Sequence, residues 1–118
     1  MASLQRPLAL EWTLHAQVKM RHYRLSQARV RRVLHAPRRT EEGIAPDTVA
    51  VMQPSSLKGK DRWTQEIWVM VSDGPNVRRV VSAWRYPGVT KPRAPAVLAA
   101  IRREYDEAKE EAVYRKKR

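Results

Sequence analysis

Residues 66–72, EIWVMVS, carry apolar side chains at both parities of the strand period. A strand that is apolar on both faces needs cover on both, so this stretch predicts a central strand between two layers. Its neighbours read from the flanking sequence. Residues 48–53 (TVAVMQ) and 77–84 (VRRVVSAW) have strand patterns, and the turn Asp73-Gly74-Pro75-Asn76 joins the last two. Residues 8–12 (LALEW) alternate over a short span, as an edge strand does, and residues 40–47 read as a linker or short edge segment. The expected sheet is an antiparallel meander.

The covering layer comes from residues 14–37, LHAQVKMRHYRLSQARVRRVLHAP, which read as two short helices joined by a tight turn. Thr13 and Ser26 stand at N-cap positions, and Leu25 with Val30 has the spacing of a hydrophobic staple. At 100° per residue, Ala16, Met20 and Tyr23 share one face and Leu14 and Val18 another, with His15, Lys19 and His22 in a sector between. In the second helix Val30, Val33 and Leu34 form the buried stripe, Arg29, Arg31 and Arg32 stay outside, and Pro37 stops the helix. Residues 54–65 are a polar loop with Lys58, Lys60, Arg62 and Trp63. Residues 96–118 form a further helix whose narrow stripe of Val97, Ile101, Tyr105, Ala108 and Ala112 predicts loose docking, on its own domain or on a second copy. Arg102/Asp106, Arg103/Glu107 and Glu111/Arg115 are spaced as i,i+4 ion pairs. The expected class is α+β: two N-terminal helices on a small antiparallel sheet in residues 1–90, with a linker and an added C-terminal helix in 91–118.

Charge narrows the function. Between Glu11 and Glu41 every charged residue is basic: Lys19, Arg21, Arg24, Arg29, Arg31, Arg32, Arg38 and Arg39. With a formal net charge of +12, such a stretch calls for an anionic partner, nucleic acid or ribosome first. The absence of cysteine excludes disulfides and thiolate metal sites. No signal peptide and no membrane-length apolar run is read, so the expected location is the cytoplasm, away from the membrane. His15 and His22 are seven apart without a nearby carboxylate, which argues against zinc. Neither a phosphate-binding glycine loop nor a serine-nucleophile pattern is present, and no metal or cofactor is expected.

His15-Ala16, Lys19-Met20, Tyr23, Leu25-Ser26, Val30, Val33-Leu34 and Pro37 resemble an uncharacterised bacterial domain family with H-A-x-x-[RK]-M on its first helix. In that family a small turn, [IVL]-[ST] and a second helix ending near Pro follow. The family looks like a relative of the BrnT toxins and, more distantly, of the RelE/ParE superfamily. Arg79-Val80-Val81-Ser82-Ala83 is similar to the BrnT final-strand pattern R-I-I-S-A. The likeness covers residues 8–88 and leaves the C-terminal helix outside. Arg24 stands where the family usually has Gly, and Trp84 precedes Arg85 where BrnT-like chains continue with basic residues.

The resemblance implies RNA as the partner and makes a metal-independent endoribonuclease conceivable. Cleavage through the 2′-hydroxyl needs a base, an acid and cations around the phosphorane. The candidates are His15 and His22 as base or acid, Lys19 and Arg85 as cations, and Tyr86 to orient a base. Arg21, Arg24, Arg29, Arg32, Lys58, Lys60, Arg62 and Trp63 are candidates for binding nucleic acid, with Trp63 as the stacking aromatic. Each has a plainer reading: His15 donating to a backbone carbonyl, His35 as a helix C-terminal cation, the arginines as a solvated face, Trp68 and Trp84 as core. Three functions therefore compete. They are a toxin-like ribonuclease, a non-catalytic RNA- or ribosome-binding module, and a unit that pairs with an antitoxin or with itself through residues 96–118.

Overall fold

A computed structural model describes residues 9–42, 48–57, 59 and 61–116, with side chains as far as 111. Leu8, Lys58 and Lys60, and the side chains of Ala112 and Arg115, lie outside the described residues. The chain runs β1 (Ala9–Trp12), α1 (Leu14–Tyr23), α2 (Gln27–His35), β2 (Arg39–Glu42), β3 (Thr48–Pro54), β4 (Glu66–Asp73), β5 (Val77–Tyr86) and α3 (Pro95–Lys116). The strands form one mixed sheet in the order β1-β5-β4-β3-β2. β4 is the middle strand, and alternation sends its side chains to two separate cores. Ile67, Val69 and Val71 meet Ala16, Met20, Val30 and Val33 of the helical pair. Trp68 and Met70 meet Met52, Trp84 and the α3 residues Val97 and Ile101 on the opposite face.

α3 is therefore the second layer that an all-apolar β4 demands. Docking is firm and on the protein's own sheet, not loose as the narrow stripe suggests: Val97 and Ile101 are almost wholly buried. Two such side chains contribute about 1.5–3 kcal/mol each. The stripe available for pairing with another chain is thereby used internally. Of the i,i+4 ion pairs expected along α3, Arg102–Asp106 forms at 3.5 Å.

Two features depart from a meander. The segment around residue 40 forms the edge strand β2, antiparallel to β3. β1 pairs parallel to β5, from Ala9↔Val77 to Trp12↔Val80. Its four residues cover only the first part of β5, and the chain then turns into α1. Thr13 makes that change: its N–H donates to Val80 O and its Oγ1 to Val81 O, while Oγ1 also accepts from Ala16 N. At the far end of α1, Tyr23 O accepts from Arg85 Nε at 2.8 Å. α1 thus lies along the edge of β5 that β1 leaves open, and reaches α3 on the other side. Opposite Met70/Val71 the register of β5 slips, with Ser82 facing Met70 and Val80 facing Val71. The extra residue, Val81, joins the α3-side core beside Trp84, and Ser82, two residues before Trp84, lies on that same side and donates to Glu104.

Between the helices Arg24 takes a left-handed conformation, φ 58° and ψ 48°. Its N–H bonds Arg21 O, and Leu25 N–H bonds Met20 O, the two bonds of a Schellman turn. A β-carbon is disfavoured there, so Arg24→Gly should stabilise the fold by about 1 kcal/mol, read as a higher urea midpoint with unchanged slope.

The segment leading into α3 is fastened by buried polar groups. Glu66, fully buried, accepts from Trp63 Nε1, Trp68 Nε1, Thr90 N and Thr90 Oγ1 at 2.7–3.0 Å. Arg39 donates to Thr90 O and to Glu41, and Glu41 also takes Arg93 N–H. Among the described residues no helix is long and apolar enough to cross a membrane.

Candidate nucleic-acid interface

His15 and Lys19 are one turn apart on α1, an element without acidic residues in its first turn. The carboxylate that answers them comes from α3. Glu104 Oε1 lies 3.0 Å from His15 Nε2 and accepts from Ser82 Oγ at 2.6 Å, while Lys19 Nζ is 3.0 Å from Oε2. His15 and Glu104 are both buried. Burial by itself pushes the Glu104 carboxyl up. The hydrogen bonds from His15, Ser82 and Lys19, with the Lys19 charge, outweigh it and hold the group down at about 2. His15 Nε2 must carry the proton in this contact, because the carboxylate only accepts. His15 Nε2 and the Lys19 ammonium are thereby committed to Glu104, and His15 Nδ1 lies 4.0 Å from Glu111 Oε1.

His15, Glu104 and Glu107 also bring ligand atoms within 4.8 Å of one another. The Lys19 ammonium already neutralises Glu104, which disfavours a cation there.

The five residues expected to share a catalytic centre fall in separate places. His15 and Lys19 join Glu104. His22 is exposed on α1, edge-on to Tyr23, and with Val18 and Arg21 lines a shallow recess. Arg85 faces the helical pair, donating to Tyr23 O, Ser55 Oγ and Gln65 Oε1. Tyr86, the next residue along the strand, packs into the α3-side core. Strand alternation separates Arg85 from Tyr86, and α1 carries His15 and His22 to different sides.

The expected binding residues are distributed differently. Arg29 is half-buried and reaches from α2 to the start of the 54–65 loop. It donates to Gln53 Oε1 at 2.6 Å, to Pro54 O at 3.1 Å and to Ser55 O at 3.5 Å. Burial, then the nearby Arg32 and Arg85 charges, push its guanidinium below the usual arginine range. Arg21, Arg24, Arg32 and Arg62 are exposed and make no side-chain hydrogen bond or ion pair among the described residues. Trp63 is not a free stacking platform: its Nε1–H is bound to Glu66 and the Arg38 guanidinium sits 5.1 Å from its ring centre.

No family model, curated protein or solved structure matches the chain. The site must be read from its own chemistry.

Glu104 and Ser82 are the partners that sequence reading misses. Glu104 carries a signal. It falls three residues after Ile101 and seven after Val97, so it stands on the apolar stripe of α3 among acids that otherwise face water. A carboxylate in that position needs a buried cation, and the i,i+4 pair His15/Lys19 needs a carboxylate. Ser82 stands two residues before Trp84 and so on the same face of β5, but a lone serine on an apolar strand does not name its partner.

Proposed function

We propose that this protein binds single-stranded RNA through the arginine face of α1 and α2 and the start of the 54–65 loop, in the cytoplasm, without cutting it. One observation carries the reading. Arg29, Arg32 and Arg85 crowd together, and among the described residues none of them is paired with a carboxylate. In a chain of net charge +12, uncompensated guanidiniums held together favour a polyanion as partner. The likeness of the α1–α2 motif and of residues 79–83 to BrnT-like and RelE-type chains supports RNA in particular, on a scaffold of two helices against a sheet. Binding without cleavage is supported by the commitment of His15 and Lys19 to Glu104, and by the separation of Arg85, Tyr86 and His22 from them. α3, which lies outside the likeness, supplies that carboxylate.

Fluorescence anisotropy with a labelled single-stranded RNA tests this across a salt series. Log affinity should fall linearly with log salt. A variant with Arg21, Arg24 and Arg32 changed to Gln removes exposed charges with no folded-state partners. It should bind more weakly, with a slope shallower by about 2, since each single-strand phosphate left without its cation removes about 0.7. Binding indifferent to salt, or unchanged in the variant, would sink the reading. Tighter binding to DNA of the same sequence would reassign the ligand.

A further inference from the structure

We infer that Arg29 and Arg85 together form a seat for one phosphate group. Its identity as a phosphate of RNA rests on the RNA-binding proposal, while its chemistry rests on the geometry alone.

The two side chains start on different elements, α2 and β5, and converge on Ser55. Arg29 Nη2 lies 3.5 Å from the Ser55 carbonyl oxygen and Arg85 Nη1 3.3 Å from its Oγ. Among the described residues every other hydrogen bond they make is to a neutral oxygen: Gln53 Oε1 and Pro54 O for Arg29, Tyr23 O and Gln65 Oε1 for Arg85. These acceptors fix the direction of both guanidiniums and cancel none of their charge. Like charges brought together in a half-buried setting repel one another, and here a third, Arg32, adds to them. Other arginines do have carboxylate partners: Arg39 has Glu41, Arg38 has Asp61, Arg78 has Asp73 and Arg79 has Glu11.

Donors also remain. Arg29 Nε and Arg85 Nη2 have no partner among the described residues, and neither is sealed from solvent in the way that Arg39 Nε is. Two oriented forks with spare N–H groups suit a tetrahedral anion whose oxygens accept several bonds at once. A carboxylate offers its acceptor sites in one plane and a single charge, whereas a phosphate sets its oxygens tetrahedrally and carries more charge, which suits two forks on different elements better.

The test uses the full-length, 15N-labelled protein and follows the arginine Nε–Hε signals during titration with inorganic phosphate, against sodium acetate and chloride at equal ionic strength. The Arg29 and Arg85 signals should move together and saturably with phosphate, and little with the other salts. In parallel, RNA affinity is compared for wild type and an Arg29→Lys/Arg85→Lys double variant, which keeps both charges and loses both forks. A loss of about tenfold or more is expected, since bonds to charged groups of this kind are the strong ones. Should the double variant fail to fold, the titration of the wild type decides alone. Phosphate that moves neither signal, or acetate that moves both equally, overturns the seat even if RNA binding stands. Saturable phosphate shifts in a protein that binds no RNA would keep the seat and overturn the RNA reading.

Discussion

Glu104→Ala should lower the unfolding free energy by about 3–5 kcal/mol, measured by urea denaturation. The loss exceeds that of an ordinary surface carboxylate because of what is left behind. Removing the side chain strands His15, Lys19 and the Ser82 hydroxyl around a buried site, and an unpaired charge there costs more than the ion pair itself contributes. Glu104→Gln should cost less, since the amide oxygen still accepts from Ser82 or His15 while the attraction for Lys19 is gone.

The same carboxylate gives a pH signature. Its folded value, about 2, lies below the ordinary glutamate value of 4.5 from which it departs. The unfolded chain therefore binds the proton first, so the stabilisation is complete above about pH 4.5 and disappears as the pH falls toward 2. Its size is about 3 kcal/mol at one pKa unit per 1.36 kcal/mol. Glu104→Gln should flatten this part of the stability curve. A wild-type and variant difference that stays constant from pH 6 to pH 3 would show that Glu104 is not held as described.

Glu66→Ala should cost at least as much, about 4 kcal/mol or more. Glu66 is fully inaccessible and its two oxygens collect four donors: the indole N–H groups of Trp63 and Trp68, and the N–H and hydroxyl of Thr90. Each orphaned buried donor costs about 1–3 kcal/mol, and the Arg39 guanidinium 3.9 Å away loses an attractive charge as well. Thr90 belongs to the connection that feeds α3. The variant should therefore loosen the α3 side first, seen as a change in the near-ultraviolet signal of the stacked Trp68–Trp84 pair. The far-ultraviolet signal of α1 and α2 should persist longer. A variant that unfolds in one step at the wild-type midpoint would rule out this anchoring role.

Much of the scaffold is legible in the sequence because it depends on local rules. Thr13 and Ser26 cap their helices as their residue types require, accepting from Ala16 N and Arg29 N. β4 lies at the sheet centre with cover on both faces, as its two-sided apolarity demands. Other features depend on pairings far apart in sequence. Nothing in four alternating residues states whether β1 runs parallel or antiparallel to β5, 68 positions away. The stripe of α3 reads as too narrow for firm docking because it is counted in apolar residues alone, and Glu104, the polar centre of the buried face, is not among them. Trp63 reads as available because it sits in a basic loop, and only the fold puts Glu66 and Arg38 against it. The candidate site divides along the same line. Arg29 and Arg32 of α2 remain close to one another, whereas a shared catalytic centre would need one strand and one helix to present five side chains to a single point.

In the proposed function the arginine face serves RNA, and His15 and Lys19 serve the fold. This division of roles is tested most directly by the length of bound RNA. A labelled single-stranded RNA is kept at saturating protein in EDTA, with and without ribosomes, and run on a denaturing gel after prolonged incubation. Full-length RNA throughout, from a sample shown by anisotropy to be bound, is the predicted result. Cleavage that His15→Ala abolishes, in a variant whose circular dichroism remains native, would contradict it and return His15 to the chemistry.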